Sequence, residues 1–447
     1  MNKQLHIAQC LANYAKSDCV RLHMPGHKGK GYSELSGAFA YDITELSFSD
    51  NLADASGVID LAQKDIAEIC GAKKSFILTG GSSLGVLSMV YAVKNRGKKM
   101  VIARSSHKSI FNALALCGIE PIFLNEVMVN GLPQATFENE CLLEKLDNDV
   151  IGALITSPNY FGNAFDLKKI ANLLHKQGKL LLVDGAHGAH FVFDSPSLYP
   201  AKYADLWVDG AHKTLFTLTQ GAILHLNDLS LENQVKNALS IFSTSSPSYP
   251  IMSTVESGVK TFEEIKKQHI TEFLIAKDMV KNCVTNKGFS VLTSDDPLKM
   301  TIDLNGMARG NEVAKILEQN NIYIELYNDD YLLFMLSYKF DIKSANKLIE
   351  ALLQIKTNKR ERSFLKSYFP TRKIGYINAI LADSELIEIS SASGRVCAEN
   401  AGIFPPCYPI ILAGEVFDNS VISRLLAENT FGCYGNKVKV VKEEEGC

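Results

Sequence analysis

Asp205-Leu-Trp-Val-Asp-Gly-Ala-His-Lys-Thr-Leu-Phe216 begins as a short apolar strand, Leu206-Trp207-Val208, turns at Asp209-Gly210, and then presents His212 and Lys213. A lysine at the mouth of a turn after a buried strand can be partly desolvated. That lowers its pKa and frees a neutral amine able to attack a carbonyl. His-Lys alone fits a solvated turn lysine better. What changes the balance lies earlier in the chain. Leu180-Leu-Leu-Val-Asp184-Gly-Ala186-His187-Gly-Ala-His190 is a second apolar strand, and it ends on a carboxylate.

A strand-end Asp and a strand-end Lys are the two groups that pyridoxal phosphate asks of a protein. The lysine forms the Schiff base and the carboxylate keeps the pyridine nitrogen protonated. Working outward, Ser75–Thr79 reads as a strand, followed by Gly80-Gly-Ser82-Ser83-Leu-Gly85 and an apolar helix from Val86 to Lys94. A strand, a glycine–serine turn and a helix start form an anion site, because free backbone N–H groups converge there. The turn is neither a Walker loop nor GxGxxG. Lys99–Ala103 is another strand, with His107 just beyond it in Arg104-Ser-Ser-His107-Lys-Ser109. Val150–Ser157 is an unbroken apolar strand of the kind buried in a parallel sheet. Strands and helices alternate from about 72 to 226, with chemically useful residues just past the strand ends, where open α/β sheets bind ligands. Ser82 and Ser83 are therefore assigned to a phosphate and His107 to the ring face. Asp184 is assigned to the ring nitrogen, the small Ala186 to the ring's approach, His187 to the ring hydroxyl and Lys213 to the covalent link.

The remaining composition sets limits. The chain has 447 residues, 46% hydrophobic and 21% charged, with a formal charge of −3 and a pI near 6.4. Its basic residues form no stripe, which argues against a nucleic-acid partner. Ten cysteines at irregular spacings contain no CxxC and no zinc spacing, and read as reduced thiols of a cytoplasmic protein. His187 and His190 lack further ligands at fitting spacing, so no metal is expected. No run is long and apolar enough to span a membrane. Arg21-Leu-His-Met-Pro-Gly-His27-Lys28 reads as a basic loop suited to an anion. Val255–Val284 reads as a bridging helix, residues 289–360 as a small α+β domain, and Lys356–Arg362 as a linker. The expected division is an N-terminal arm (1–45), a cofactor-binding large domain (46–270), a small α+β domain (271–360) and a C-terminal domain (361–447).

Arg21–Gly29 (RLHMPGHKG), Asp42–Glu45 (DITE), TGGSSLG, SSHKS, SPNYFG, DGAHGAH, GAHKTL with Gln220, and Ser243–Pro250 (STSSPSYP) occur in this order. In order and spacing they resemble the ornithine/lysine/arginine decarboxylases, in a short form with no regulatory domain ahead of the first motif. The resemblance covers nearly the whole chain, including Ser393–Glu399 (SGRVCAE). It implies a fold-type-I α/β architecture of the aspartate aminotransferase superfamily, with a mostly parallel sheet, a small α+β domain and a C-terminal domain. It further implies decarboxylation of arginine, lysine or ornithine to the amine through a Schiff base on Lys213, with His212 or Lys213 returning the proton. It implies a homodimer or larger assembly with a shared site, in which Ser245 and Ser246 reach the neighbour's phosphate and Glu399 lies near the substrate. The guess of arginine follows from the shorter members.

Three positions depart from the family pattern: Gly210 where serine is usual, Gly185 where an acidic residue is usual, and Cys407 after Phe404-Pro-Pro where glycine is usual. The same fold also hosts aminotransferases, aldolases and other lyases, and fold does not fix the reaction. A binding protein that has lost catalysis is a further reading, and the retained Lys213 and Asp184 oppose it.

Overall fold

The computed structural model describes residues 4–31, 33–129, 132–137, 146–362, 369–403, 408–427 and 430–443. The expected helix at 141–147 falls mostly outside these residues, and the Phe404–Cys407 turn falls wholly outside them.

The apolar runs become strands: Lys74–Leu78 (β1), Lys99–Ile102 (β2), Glu120–Phe123 (β3), Asn125–Val129 (β4), Leu132–Thr136 (β5), Val150–Thr156 (β6), Leu180–Gly185 (β7), Leu206–Asp209 (β8) and Ala222–Leu226 (β9). β4 and β5 pair as a hairpin, and the other seven form one sheet in the order β1-β9-β8-β7-β6-β2-β3. From β8 to β3 all neighbours are parallel, and β9 runs antiparallel to β8 and β1. Alternate residues along each strand enter opposite cores: Ile155, Val183 and Trp207 on one face, Leu154, Leu182 and Val208 on the other. Both faces are covered, which is why these strands are apolar throughout instead of alternating with polar residues.

The covering helices are His6–Ala15 (α1), Val58–Cys70 (α2), Gly81–Val93 (α3), Lys108–Cys117 (α4) and Leu167–His175 (α5). The one-turn Ala211–Thr214 (α6), Glu232–Phe242 (α7) and Tyr249–Asn286 (α8) follow. Gly71 ends α2 in the left-handed conformation at φ 68°, as its position implied. α3 starts five residues earlier than expected, at Gly81, so the glycine–serine turn is the first turn of the helix itself. Serines are tolerated there because the first N–H groups have no intrahelical partner to compete for.

α8 runs unbroken for 38 residues, across the expected boundary at 270/271. Beyond it a second sheet, β10-β11-β13-β12, comprises Ser290–Val291 (β10), Lys299–Asp303 (β11), Leu326–Tyr327 (β12) and Tyr331–Met335 (β13). Gly310–Gln319 (α9) and Ile342–Leu353 (α10) pack on it around Ile302, Leu332 and Val284. The C-terminal part folds into two three-stranded sheets whose strands are mostly too short to carry a periodic pattern. The basic loop does not present its cations outward as a set. Arg21 donates to Ala40 O at 2.9 Å and lies over the Tyr14 ring, and His27 faces Asp42 at 3.2 Å. Among the described residues, no helix is long and apolar enough to cross a membrane.

Candidate active site

The parallel strands all point their C-terminal ends to one edge of the sheet, and a cavity of about 580 Å³ opens there. The turn after β1 supplies Ser82, the segment after β2 supplies Ser105 and His107, and β6 supplies Thr156 and then Asn159 and Tyr160. β7 supplies Asp184, Ala186 and His187, and the turn after β8 supplies Lys213. Residues scattered over 130 positions thus meet because each follows a strand of one sheet.

Local backbone contacts fix this edge. Gly81, at φ 72°, donates its N–H to Gln220 O at 2.8 Å, and His212 N donates to Gly221 O at 3.0 Å. The helix start at α3 and the Lys213 turn are therefore tied to the same short segment before β9. Gly210 sits where a Cβ would meet Ala186 O at 2.4 Å, and a Cβ at Gly185 would meet Asp209 Oδ1 at 2.9 Å. β7 and β8 run so close at their ends that neither of the usual family residues fits without a shift.

Asp184 is 3% exposed, and its carboxylate accepts from Ala186 N at 3.2 Å. Burial pushes its carboxyl pKa up, against the pull of Lys213 and His107. Burial lowers Lys213, opposed by Asp184 and Glu325. His187 is driven well below its ordinary value by burial, with Lys299 and Lys213 adding to the effect. Its Nε2 lies 3.0 Å from Lys213 Nζ, within hydrogen-bond distance. The Tyr160 ring stands edge-on to His187 at 4.9 Å. His107 keeps an exposed edge, with Nδ1 2.8 Å from Ser109 Oγ; partial desolvation lowers its pKa, and Asp184 opposes the shift. His187 Nδ1 and Thr156 Oγ1 are buried without a hydrogen-bond partner among the described residues. The edge thus combines a buried acid, a desolvated amine and unpartnered polar atoms around open space, a pattern typical of functional sites.

Several assigned residues lie outside this wall. Ser83 is exposed one residue beyond Ser82. His212 is half-buried with Nδ1 bonded to Gly221 O at 2.9 Å. Ser245 and Ser246 are exposed after α7. Glu399 accepts from Tyr434 OH at 2.8 Å in the C-terminal part. His190 pairs instead with Asp296, both fully buried.

Other residues of the edge carried no assigned role in the sequence. Asn159 and Tyr160 were quoted only as part of a motif. Lys299 donates to both of their carbonyls, at 3.1 and 2.7 Å. Tyr160 OH donates to Glu325 Oε1 at 2.5 Å. Lys299, on the second sheet, and Glu325, just before its strand β12, lie more than a hundred residues downstream of Tyr160, and nothing in the local sequence marks them.

Comparison with known proteins fixes the family. The family model for the Orn/Lys/Arg decarboxylase major domain matches residues 7–295. An uncharacterised protein of Bacillus subtilis, YaaO, is 31% identical over 98% of this chain and 97% of its own length. The chain belongs to the Orn/Lys/Arg decarboxylase family. Another Orn/Lys/Arg decarboxylase relative, the arginine decarboxylase of Bacillus subtilis, is 30% identical over 92% of this chain and 91% of its own. The structure of the Escherichia coli constitutive lysine decarboxylase superposes with a TM-score of 0.81 at 18% identity, over 99% of this chain and 82% of that one. The serine palmitoyltransferase of Sphingomonas wittichii shares the sheet architecture, with a TM-score of 0.55 at 16% identity over 68% of this chain and 79% of that one. The fold is therefore the fold-type-I architecture, shared with the lysine decarboxylase and the serine palmitoyltransferase.

Proposed function

We propose that the chain uses pyridoxal 5′-phosphate to decarboxylate a basic amino acid, releasing CO2 and the corresponding amine. The observation that carries this is a buried Asp184 and a desolvated Lys213 on one cavity wall, in a chain of this family.

The residues fit the cofactor. The buried Asp184 carboxylate accepts from the Ala186 amide, and a protonated ring nitrogen would complete a buried ion pair. The methyl of Ala186 leaves room for a ring face, and His107 lies on the same cavity wall. Ser82, with Ser83 beside it, sits at the start of the 13-residue α3, where free N–H groups suit a phosphate. The unpartnered His187 and Thr156 atoms suit the ring's polar substituents. When bound, the cofactor supplies an electron sink for the pair left at Cα as CO2 departs.

The chain's own groups do the rest. Lys213, its pKa lowered by burial, provides the amine for covalent attachment and afterwards the proton for Cα. His187 Nε2, within hydrogen-bond distance of that amine, aims it. Phe161, Ile170 and Leu326 make part of the wall apolar and exclude water. His212, bonded to Gly221 O and off the wall, is the weaker proton donor of the two originally considered.

Arginine is the favoured substrate, because relatives named arginine decarboxylase match at 27% to 30% over nine-tenths of the chain. The lysine decarboxylases match at 22% over 81%. A homodimer or larger assembly in the cytoplasm, with Ser245 and Glu399 serving a neighbour's site, belongs to the same proposal. Val20, Leu22 and Met24, exposed by 84%, 88% and 67% on the N-terminal arm, support a covered surface.

Incubation with arginine, lysine and ornithine, scored by CO2 and amine, tests the reaction. Agmatine from arginine is expected, and amino transfer to a keto acid would refute decarboxylation. Borohydride reduction and peptide mapping test the linkage: the tag should fall on Lys213 and vanish in Lys213→Ala.

A further inference from the structure

We propose that Glu325 is the specificity-determining carboxylate that receives the distal cation of the basic substrate, held in place by the Tyr160 hydroxyl. The inference rests on the decarboxylase reading above and deepens it.

A cationic side chain entering this cavity meets Lys213 and Lys169 on its wall and Lys299 behind Tyr160. Unless a carboxylate offsets them, the site would repel the substrate class it serves. Among the described residues, two carboxylates line the cavity, and others, Asp295 and Glu325, are bonded to groups that line it. Asp184 is buried beside Lys213 and lies where the ring nitrogen is expected. Asp166 accepts from Lys169 N at 3.0 Å as the cap of α5, and Lys169 lines the cavity next to it. Asp295 accepts from Ala164 N at 2.9 Å, and Glu325 is left. Both Lys213 and Lys299 feel its charge. The residue that follows it, Leu326, lines the cavity, as does its hydrogen-bond donor Tyr160. Oε1 is fixed by that hydroxyl at 2.5 Å, while Oε2 has no hydrogen-bond partner among the described residues. Tyr160 is itself held edge-on against His187 and under Lys299. The carboxylate is therefore pre-oriented at the opposite end of the Tyr160 ring from the catalytic lysine, with one oxygen available to an ammonium or guanidinium.

The test compares wild-type holoenzyme with Glu325→Gln and Glu325→Asp on arginine and on citrulline, which keeps the shape but loses the charge. Glu325→Gln should raise KM for arginine by about tenfold or more, the size expected for one charge-assisted contact. It should cut the preference for arginine over citrulline by a similar factor. Calorimetric titration with agmatine, which cannot turn over, should weaken in step. Glu325→Asp keeps the charge with a shorter reach and should fall between the two. Should Glu325→Gln not fold, Glu325→Asp alone must still lose affinity for agmatine, and unchanged affinity overturns the proposal. Equal changes for arginine and citrulline, or none for either, overturn it as well. A wild type that releases no CO2 from arginine, lysine or ornithine overturns the decarboxylase reading instead. If lysine or ornithine is the substrate, norleucine or norvaline replaces citrulline and the corresponding diamine replaces agmatine.

Discussion

Lys299 shows how one buried side chain links chemistry to stability. It is 3% exposed, and burial lowers its pKa from 10.5 to about 7, with Asp296 and Glu325 resisting and Lys213 assisting. The folded pKa lies below the unfolded one, so between about pH 7 and 10.5 the unfolded chain holds the extra proton. Stability therefore rises with pH across that window, by up to about 1.4 kcal/mol per unit from this group. Between about pH 7.5 and 9.5 buried cysteines with raised pKa values pull the other way, so the check is the difference: the pH slope of the urea midpoint should be less positive in Lys299→Met than in the wild type. Lys213→Ala removes the amine that lies within hydrogen-bond distance of His187 Nε2. Activity should drop by several orders of magnitude, as when any covalent nucleophile is lost, and the near-ultraviolet to visible absorbance of bound cofactor should disappear.

Helix α3 turns a tight fit into a position. Gly85 lies where a Cβ would meet Val208 Cγ2 at 2.4 Å, so the helix rests directly on β8. The same helix carries Gly81 and Ser82 at its start. Gly85→Val should push the helix off the strand and destabilise the fold by roughly 1–3 kcal/mol. It should also raise the dissociation constant for pyridoxal phosphate, because the helix start moves with the helix. A melting temperature and a cofactor titration check the two effects. A lowered melting point with unchanged cofactor affinity would refute the link. This element was legible in part. Its apolar content marked a helix, but only the packed structure includes the serines in it, since a glycine–serine run reads as loop until its free N–H groups have a location.

Across the molecule, a few buried pairs hold the parts together. Arg104 makes a two-pronged bridge to Glu415, at 2.6 and 2.7 Å, and donates to Ile410 O at 3.0 Å. This joins the C-terminal part to the segment that carries Ser105 and His107. Arg104→Met strands Glu415 as a lone buried carboxylate and should destabilise by about 3–5 kcal/mol, read as a loss of denaturant midpoint. The second sheet grips the turn after β6 at several points. Lys299 holds the Asn159 and Tyr160 carbonyls, Ser294 Oγ donates to Phe161 O at 3.2 Å, and Asp295 accepts from Ala164 N at 2.9 Å. His190 and Asp296 close the contact below it.

Local order fixed what the chain could state about itself. Apolar runs of strand length, each followed by a chemically useful residue, defined a parallel sheet with Ser82, His107, Asp184 and Lys213 on one edge. Such a signal survives in sequence because strand, turn and functional residue are neighbours in the chain. The approach of Lys299 and Glu325 to Tyr160, the close ends of β7 and β8 at Gly185 and Gly210, and the Arg104–Glu415 bridge came only from the tertiary structure. Each joins residues far apart in sequence, or depends on a distance between backbones that no local pattern encodes.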